Sequence, residues 1–220
     1  MSEKKREVKR EVEKQQDAPL NMEKLLEEFN QKKMKPDCIK PEMLPDIDLY
    51  MDQVTTFMDN HLAQTKRYPD DKILTKTMIN NYSKNNLLPP PKKKKYSKDH
   101  VLILTFIYYM KNLLSMDDIQ SVLKLVKEDF FESEGEEEDL DLEDIYNEVL
   151  HYEGEIRDSI MNDIQNKYQM SRESFPDTEC ASDTKSDLQD FIFICMLCYD
   201  ALSKKQLIEQ IIDYKKKPKN

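Results

Sequence analysis

Thr75-Lys-Thr-Met-Ile-Asn-Asn-Tyr-Ser-Lys-Asn-Asn-Leu-Leu-Pro89 is the stretch on which the fold turns. Thr75 or Thr77 suits the start of a helix, because a threonine hydroxyl accepts from the unpaired N–H groups of a first turn. The helix runs to about Asn85, since asparagine tolerates the left-handed conformation a helix end requires. Leu87-Leu-Pro-Pro-Pro91 continues as extended chain, because proline fixes φ and pushes its predecessor out of the helical region. Met78, Ile79 and Tyr82 serve to pack the helix onto a scaffold, and Tyr82 is also counted among the DNA-contacting residues. Thr75, Lys76, Thr77, Asn80, Asn81 and Lys84 supply a small, polar outer face.

Downstream lies the basic turn Lys92-Lys-Lys-Lys-Tyr96, after which Ser97 caps an apolar helix from Val101 to Leu113. Ser115-Met-Asp-Asp118 reads as a capping box with aspartate in the acidic position, opening a helix through Ile119, Val122, Leu123 and Val126. Upstream, Leu49, Val54, Phe57, Met58 and Leu62 mark a helix over 49–62, and a polar link reaches Asp71. These elements form one domain over 46–127. Residues 1–45 read as a charged, mobile tail, with a short amphipathic helix through Leu20, Met22, Leu25, Leu26 and Phe29 as the alternative.

Beyond the domain, 128–140 is an acidic linker, a solvated run without the alternating ligands and glycine of a calcium loop. A helical region over 141–214 follows, then a basic tail over 215–220. Leu142, Ile145, Val149, Tyr152, Ile156, Ile160 and Ile164 mark one long amphipathic helix to Tyr168, suited to dimerisation. The last helix is apolar nearly all round from Phe191 to Tyr199, so that part is expected to be buried. Cys195 and Cys198 then fill core, and His61, His100 and His151, which form no paired spacing, are expected at solvated helix edges.

Two glycines, no tryptophan and pervasive helical periodicity favour an all-α protein over barrels or sandwiches. No nucleophile elbow, phosphate loop or metal-ligand spacing appears, which predicts no enzyme, cofactor or metal. The charged N-terminus, the absence of a membrane-length apolar run and four cysteines without a disulfide framework predict a cytoplasmic protein with no membrane contact. Charge is segregated: 71–127 carries +7 and 128–190 carries −18, within a chain of net −10. The local field governs partner choice more than the total.

A short helix with a polar face fits the major groove of duplex DNA, where asparagine engages adenine bidentately. Lys92, Lys93, Lys94 and Lys95 suit phosphates, and Tyr96 anchors such a wing by packing inward or adds a hydroxyl contact.

Met78-Ile-Asn-Asn-Tyr82, Asn86-Leu-Leu-Pro89, Lys94-Lys-Tyr96, Phe106-Ile107 and Leu114-Ser-Met-Asp-Asp-Ile119 resemble the MerR family of winged helix-turn-helix proteins. The similarity spans Leu49 to Val126 and is greatest to a branch of uncharacterised bacterial proteins with a domain of unknown function. That branch has a motif like Leu49-Tyr-Met-Asp-Gln-Val54. The resemblance implies a recognition helix at Thr77 to Lys84 and a wing at Lys92 to Tyr96. The family's arginine is Asn80 here, its glycine is Asn86, and lysines replace the wing arginines, which keeps charge but weakens bidentate clamping. The expectation is a dimeric, sequence-specific, double-stranded-DNA-binding transcriptional regulator, with a small-molecule effector left open. The alternatives are a protein-interaction module on the same scaffold, or an architectural or recombination accessory factor.

Overall fold

The computed structural model describes residues 22–33, 38–132, 140–179 and 181–217, and the chain divides into two compact units, 1–36 and 37–220. The first unit contributes α1 (Met22–Lys33), an amphipathic helix where a mobile tail was the leading expectation; Leu20 lies outside the described residues. Among the described residues the chain is mostly helical, with one two-stranded antiparallel pair.

In the second unit, β1 (Leu49–Tyr50) leads into α2 (Met51–His61) and, after a link, α3 (Lys76–Lys84). Then come β2 (Lys95–Tyr96), α4 (Lys98–Met110) and α5 (Met116–Phe130). α6 (Leu142–His151), α7 (Glu153–Arg172) and α8 (Ser182–Lys216) complete it. α4 is the hub: every residue from His100 to Ile107 is buried, as an all-round apolar helix requires. Its one hydroxyl there, on Thr105, donates to the Val101 carbonyl at 2.8 Å and so enters the core satisfied.

Leu49 is extended rather than helical. It pairs with Tyr96, and Tyr50 pairs with Lys95, so the first residues of the expected helix close a small sheet instead. The core also reaches past the expected domain limits of 46 and 127. Ile39, Pro41 and Leu44 are buried ahead of it, and Leu142 and Tyr146 after it. Tyr146 ties both ends together, its hydroxyl donating to the Ile39 carbonyl at 2.6 Å and its ring packing edge-on to Phe106. Burial pushes that phenol well above its ordinary pKa. Of the expected acidic linker, α5 takes residues up to Phe130, and 133–139 lie outside the described residues.

The single helix expected from Leu142 to Tyr168 is two helices, interrupted at Tyr152, with Gly154 just beyond the break. Glycine is a poor helix former, and the break lets Leu142 and Tyr146 stay on α4 while α7 leaves the domain. α7 and α8 pair as an antiparallel hairpin. Tyr168 meets Phe193 edge-on, and Arg172 reaches Asp190 and Gln189, whose amide donates back to the Arg172 carbonyl at 2.8 Å. At its far end α8 returns to the domain, where Lys216 pairs with Asp118 of α5 at 2.9 Å.

Burial of Phe191–Tyr199 does not hold within one chain. Phe193 is buried, but Phe191 is 61% exposed, Ile194 54% and Tyr199 75%, and Cys195 and Cys198 are exposed rather than core-filling. Among the described residues no helix is long and apolar enough to cross a membrane.

Candidate nucleic-acid interface

α3 is a helix stopped by local chemistry at both ends. The Thr75 hydroxyl accepts from Met78 N–H at 3.2 Å, satisfying one of the unpaired donors of the first turn. At the other end Asn86 takes a left-handed φ of 53°. Leu87 N–H then donates to the Tyr82 carbonyl at 2.9 Å and Asn86 N–H to that of Ser83 at 3.2 Å. This is a Schellman motif, with Tyr82 and Leu87 both buried as its apolar contact.

Between these caps the helix has two sides. Ile79 and Tyr82 are buried and Met78 half-buried, while Lys76, Thr77, Asn80, Asn81 and Lys84 are exposed. Tyr82, expected among the contacting residues, is therefore a scaffold residue instead, only 5% exposed. Lys76 meets Asp52 of α2, but both side chains are mostly exposed, so the pair is weak and exchangeable. Thr75 is half-buried, its hydroxyl committed to the cap.

Two half-buried lysines hold α3 and its flanks in place. Lys111 of α4 donates to the Ile73 carbonyl at 2.6 Å, just ahead of α3, while lying over the Tyr108 ring. Lys127 of α5 donates to the Asn86 carbonyl just behind it. Burial lowers the pKa of both ammonium groups.

The basic turn is equally well defined. Lys95 N–H donates to the Lys92 carbonyl at 2.9 Å, and the two central residues, Lys93 and Lys94, have φ of 50° and 64°. Two successive left-handed residues are the signature of a type I′ hairpin turn, normally the place of Asn-Gly. Lysines here accept backbone strain and leave the side chains of Lys93 and Lys94 exposed at the tip. Lys92 pairs with Glu132, whose carboxyl it holds below its ordinary value, and Lys95 sits 5.6 Å from the Tyr50 ring centre. Tyr96, 3% exposed, anchors the turn by packing inward.

What Tyr96 packs on is a histidine expected at a solvated helix edge. His100 is 1% exposed, not solvated. It occupies the third position of α4, where its Nδ1 accepts from Ser97 N–H at 3.1 Å and lies 2.7 Å from the Ser97 hydroxyl, a capping box with histidine in place of glutamate. The rings of Tyr96 and Phe131 enclose it at 5.4 and 4.8 Å. Burial pushes the imidazole pKa down, with Glu132 and the Pro89 and Pro90 carbonyls acting the other way. A serine three residues before the histidine was its available signal.

α3 and the turn are thus joined by a short link pinned at Asn86, Leu87 and His100. From Lys84 to Lys93 the chain spans at most about 30 Å, less than one turn of B-DNA, about 34 Å. A capped helix end with free N–H groups and nearby ammonium groups attracts anions.

Of the residues expected to form a dimerisation arm, Leu142 is buried in its own domain, and Ile145 and Ile164 are half-buried. Val149, Tyr152, Ile156 and Ile160 are exposed by 55, 48, 54 and 44%. Among the described residues no group of histidine, cysteine or carboxylate side chains is placed to hold a metal ion.

Comparison with curated proteins and comparison with solved structures each find no match. The family described as Domain of unknown function (DUF1836) matches residues 39–149, from the buried Ile39 to the exposed Val149 of α6, and with half the chain inside that match the protein belongs to this family.

Proposed function

We propose that residues 39–149 form a MerR-like winged helix-turn-helix domain, and that the protein binds duplex DNA as a two-fold dimer to regulate transcription. α3 is the recognition helix, offering Thr77, Asn80, Asn81 and Lys84 to base edges and flanking phosphates. Lys93 and Lys94 at the wing tip contact phosphates, with Lys95 beside them. Lys76 and Lys92 join when DNA displaces Asp52 and Glu132. One observation carries this reading: a polar helix face and a strained, lysine-tipped turn follow each other closely within the basic block of an acidic chain. A lone recognition helix reads few base pairs, which favours paired half-sites.

Fluorescence anisotropy with duplex DNA over a salt series tests it. Each neutralised phosphate contributes about −0.9 to the slope of log affinity against log salt, so several lysine contacts give a steep line. Absence of binding at low salt ends the proposal. A palindrome recovered by sequencing bound genomic fragments would supply both specificity and two-fold symmetry.

A further inference from the structure

α8 is 35 residues long, and its side away from α7 carries an apolar seam. Leu188, Phe191, Cys195, Cys198 and Leu202 follow one another at steps of three, four, three and four residues, the 3.5-residue period of a helix that packs lengthwise on another helix. Phe193 and Gln189, the buried residues of this half of α8, face α7, so the seam lies on the opposite side. Leu188, Phe191 and Leu202 are 39, 61 and 52% exposed, and both thiols are exposed.

We propose that this seam is where two copies of the chain pair, α8 against α8. The inference rests on the dimeric reading above and assigns its interface to α8. Charge points to a second copy as the occupant. A chain of net −10 repels itself, yet nothing from Phe191 to Tyr199 is charged, and the seam is flanked by Ile194, Tyr199 and Ala201. From Phe191 to Tyr199 two identical copies meet without opposing like charges, and Asp187 and Asp190 lie only beside the Leu188 end, where the acidic block 128–190 stops. The spacing is also self-complementary. In parallel pairing each residue faces its own counterpart; in antiparallel pairing Phe191 faces Leu202 and Cys195 faces Cys198 of the second copy. Either way the thiols of the two copies become neighbours. Packing on α7 already holds α8 helical, so a seam of two heptads does not have to support helix formation itself.

Light scattering after gel filtration of the full chain in reducing buffer tests the pairing. The wild type is expected at twice the chain mass and the double variant Phe191→Glu, Leu202→Glu at half that value, with unchanged helical circular dichroism. A monomeric wild type, or a dimeric double variant, overturns the proposal. A second measurement needs no seam-disrupting change. In a Cys38→Ser, Cys180→Ser background, a short bis-maleimide, to which each thiol adds across one ring double bond, is expected to join two chains through Cys195 and Cys198. No cross-linked pair under these conditions overturns the proposal. The DNA reading fails separately: a seam dimer that binds no DNA leaves the pairing intact, and a monomer that binds DNA removes the pairing alone.

Discussion

Replacing Lys93 by Asn and Lys94 by Gly is expected to make the protein more stable and a worse DNA binder. Both lysines sit at left-handed φ, 50° and 64°. For residues with a β-carbon that conformation costs roughly 1–2 kcal/mol each, and Asn-Gly is the sequence a type I′ turn prefers. Against the relief stands the extra freedom glycine gives the unfolded chain, about 0.5–1 kcal/mol. The net gain is about 1–3.5 kcal/mol, and at about 2–4 °C per kcal/mol for a domain of this size it is readable in a thermal melt. The same change removes two cations from the tip. If each meets a phosphate, the salt slope becomes shallower by about 1.8. A Lys93→Gln, Lys94→Gln control removes the charge but keeps the backbone strain, so it weakens binding with little change in stability. Should the Asn-Gly variant melt no higher, the turn is not strained. Should it melt higher but bind DNA with the same affinity and slope, the tip is an ordinary solvated turn and the wing reading is wrong.

Other consequences can be checked on the same protein. Asn81→Ala changes an exposed helix position and is expected to leave stability within about 0.5 kcal/mol while altering base preference; identical preference in a binding-site selection would remove Asn81 from the reading face. Ile79→Ala empties a fully buried position beneath α3 and is expected to cost about 2–5 kcal/mol by chemical denaturation. The His100 pKa is depressed by burial, so the unfolded chain takes up the proton first. Its contribution is complete above about pH 6.5 and lost as pH falls below that value, at up to about 1.4 kcal/mol per pH unit. His100→Gln keeps a capping side chain and is expected to flatten that part of the stability profile; an unchanged profile would show that other groups set it.

Local chemistry was legible and long-range pairing was not. The Thr75 cap, the Asn86 stop and the Ser115 cap, whose hydroxyl accepts from Asp118 N–H without the reciprocal bond of a full capping box, each lie within a few residues. β1 was hidden because apolar spacing runs smoothly from Leu49 into α2, and only a partner strand at Lys95 pulls Leu49 out of the helix. The reach of the core to Ile39 and Tyr146 was hidden for the same reason, since the bond between them joins residues 107 positions apart. His100 was misjudged because a histidine among scattered others gives no sign of burial until the Ser97 cap and the Tyr96 and Phe131 rings surround it. The break at Tyr152 had one sign, Gly154, on a periodicity that otherwise continues across it.

Two places where this chain violates local rules are the two places that the proposals use. Lysines occupy a turn that favours Asn-Gly, and an apolar helix side faces outward in a single chain. Folding alone favours neither: a selection for stability would put glycine at the tip and glutamate or lysine along α8. Strain and exposed apolar surface persist where something outside the folded chain offsets them. On the proposed reading, that something at the tip is a row of phosphates, which reward charge held at a fixed point. For α8 the proposed partner is a second α8, which would remove from water the surface that Phe191, Ile194 and Leu202 expose. The two proposals are coupled: pairing through α8 would set the separation of the two α3 helices, and only a fixed separation would let each copy's lysines act on one stretch of DNA at once.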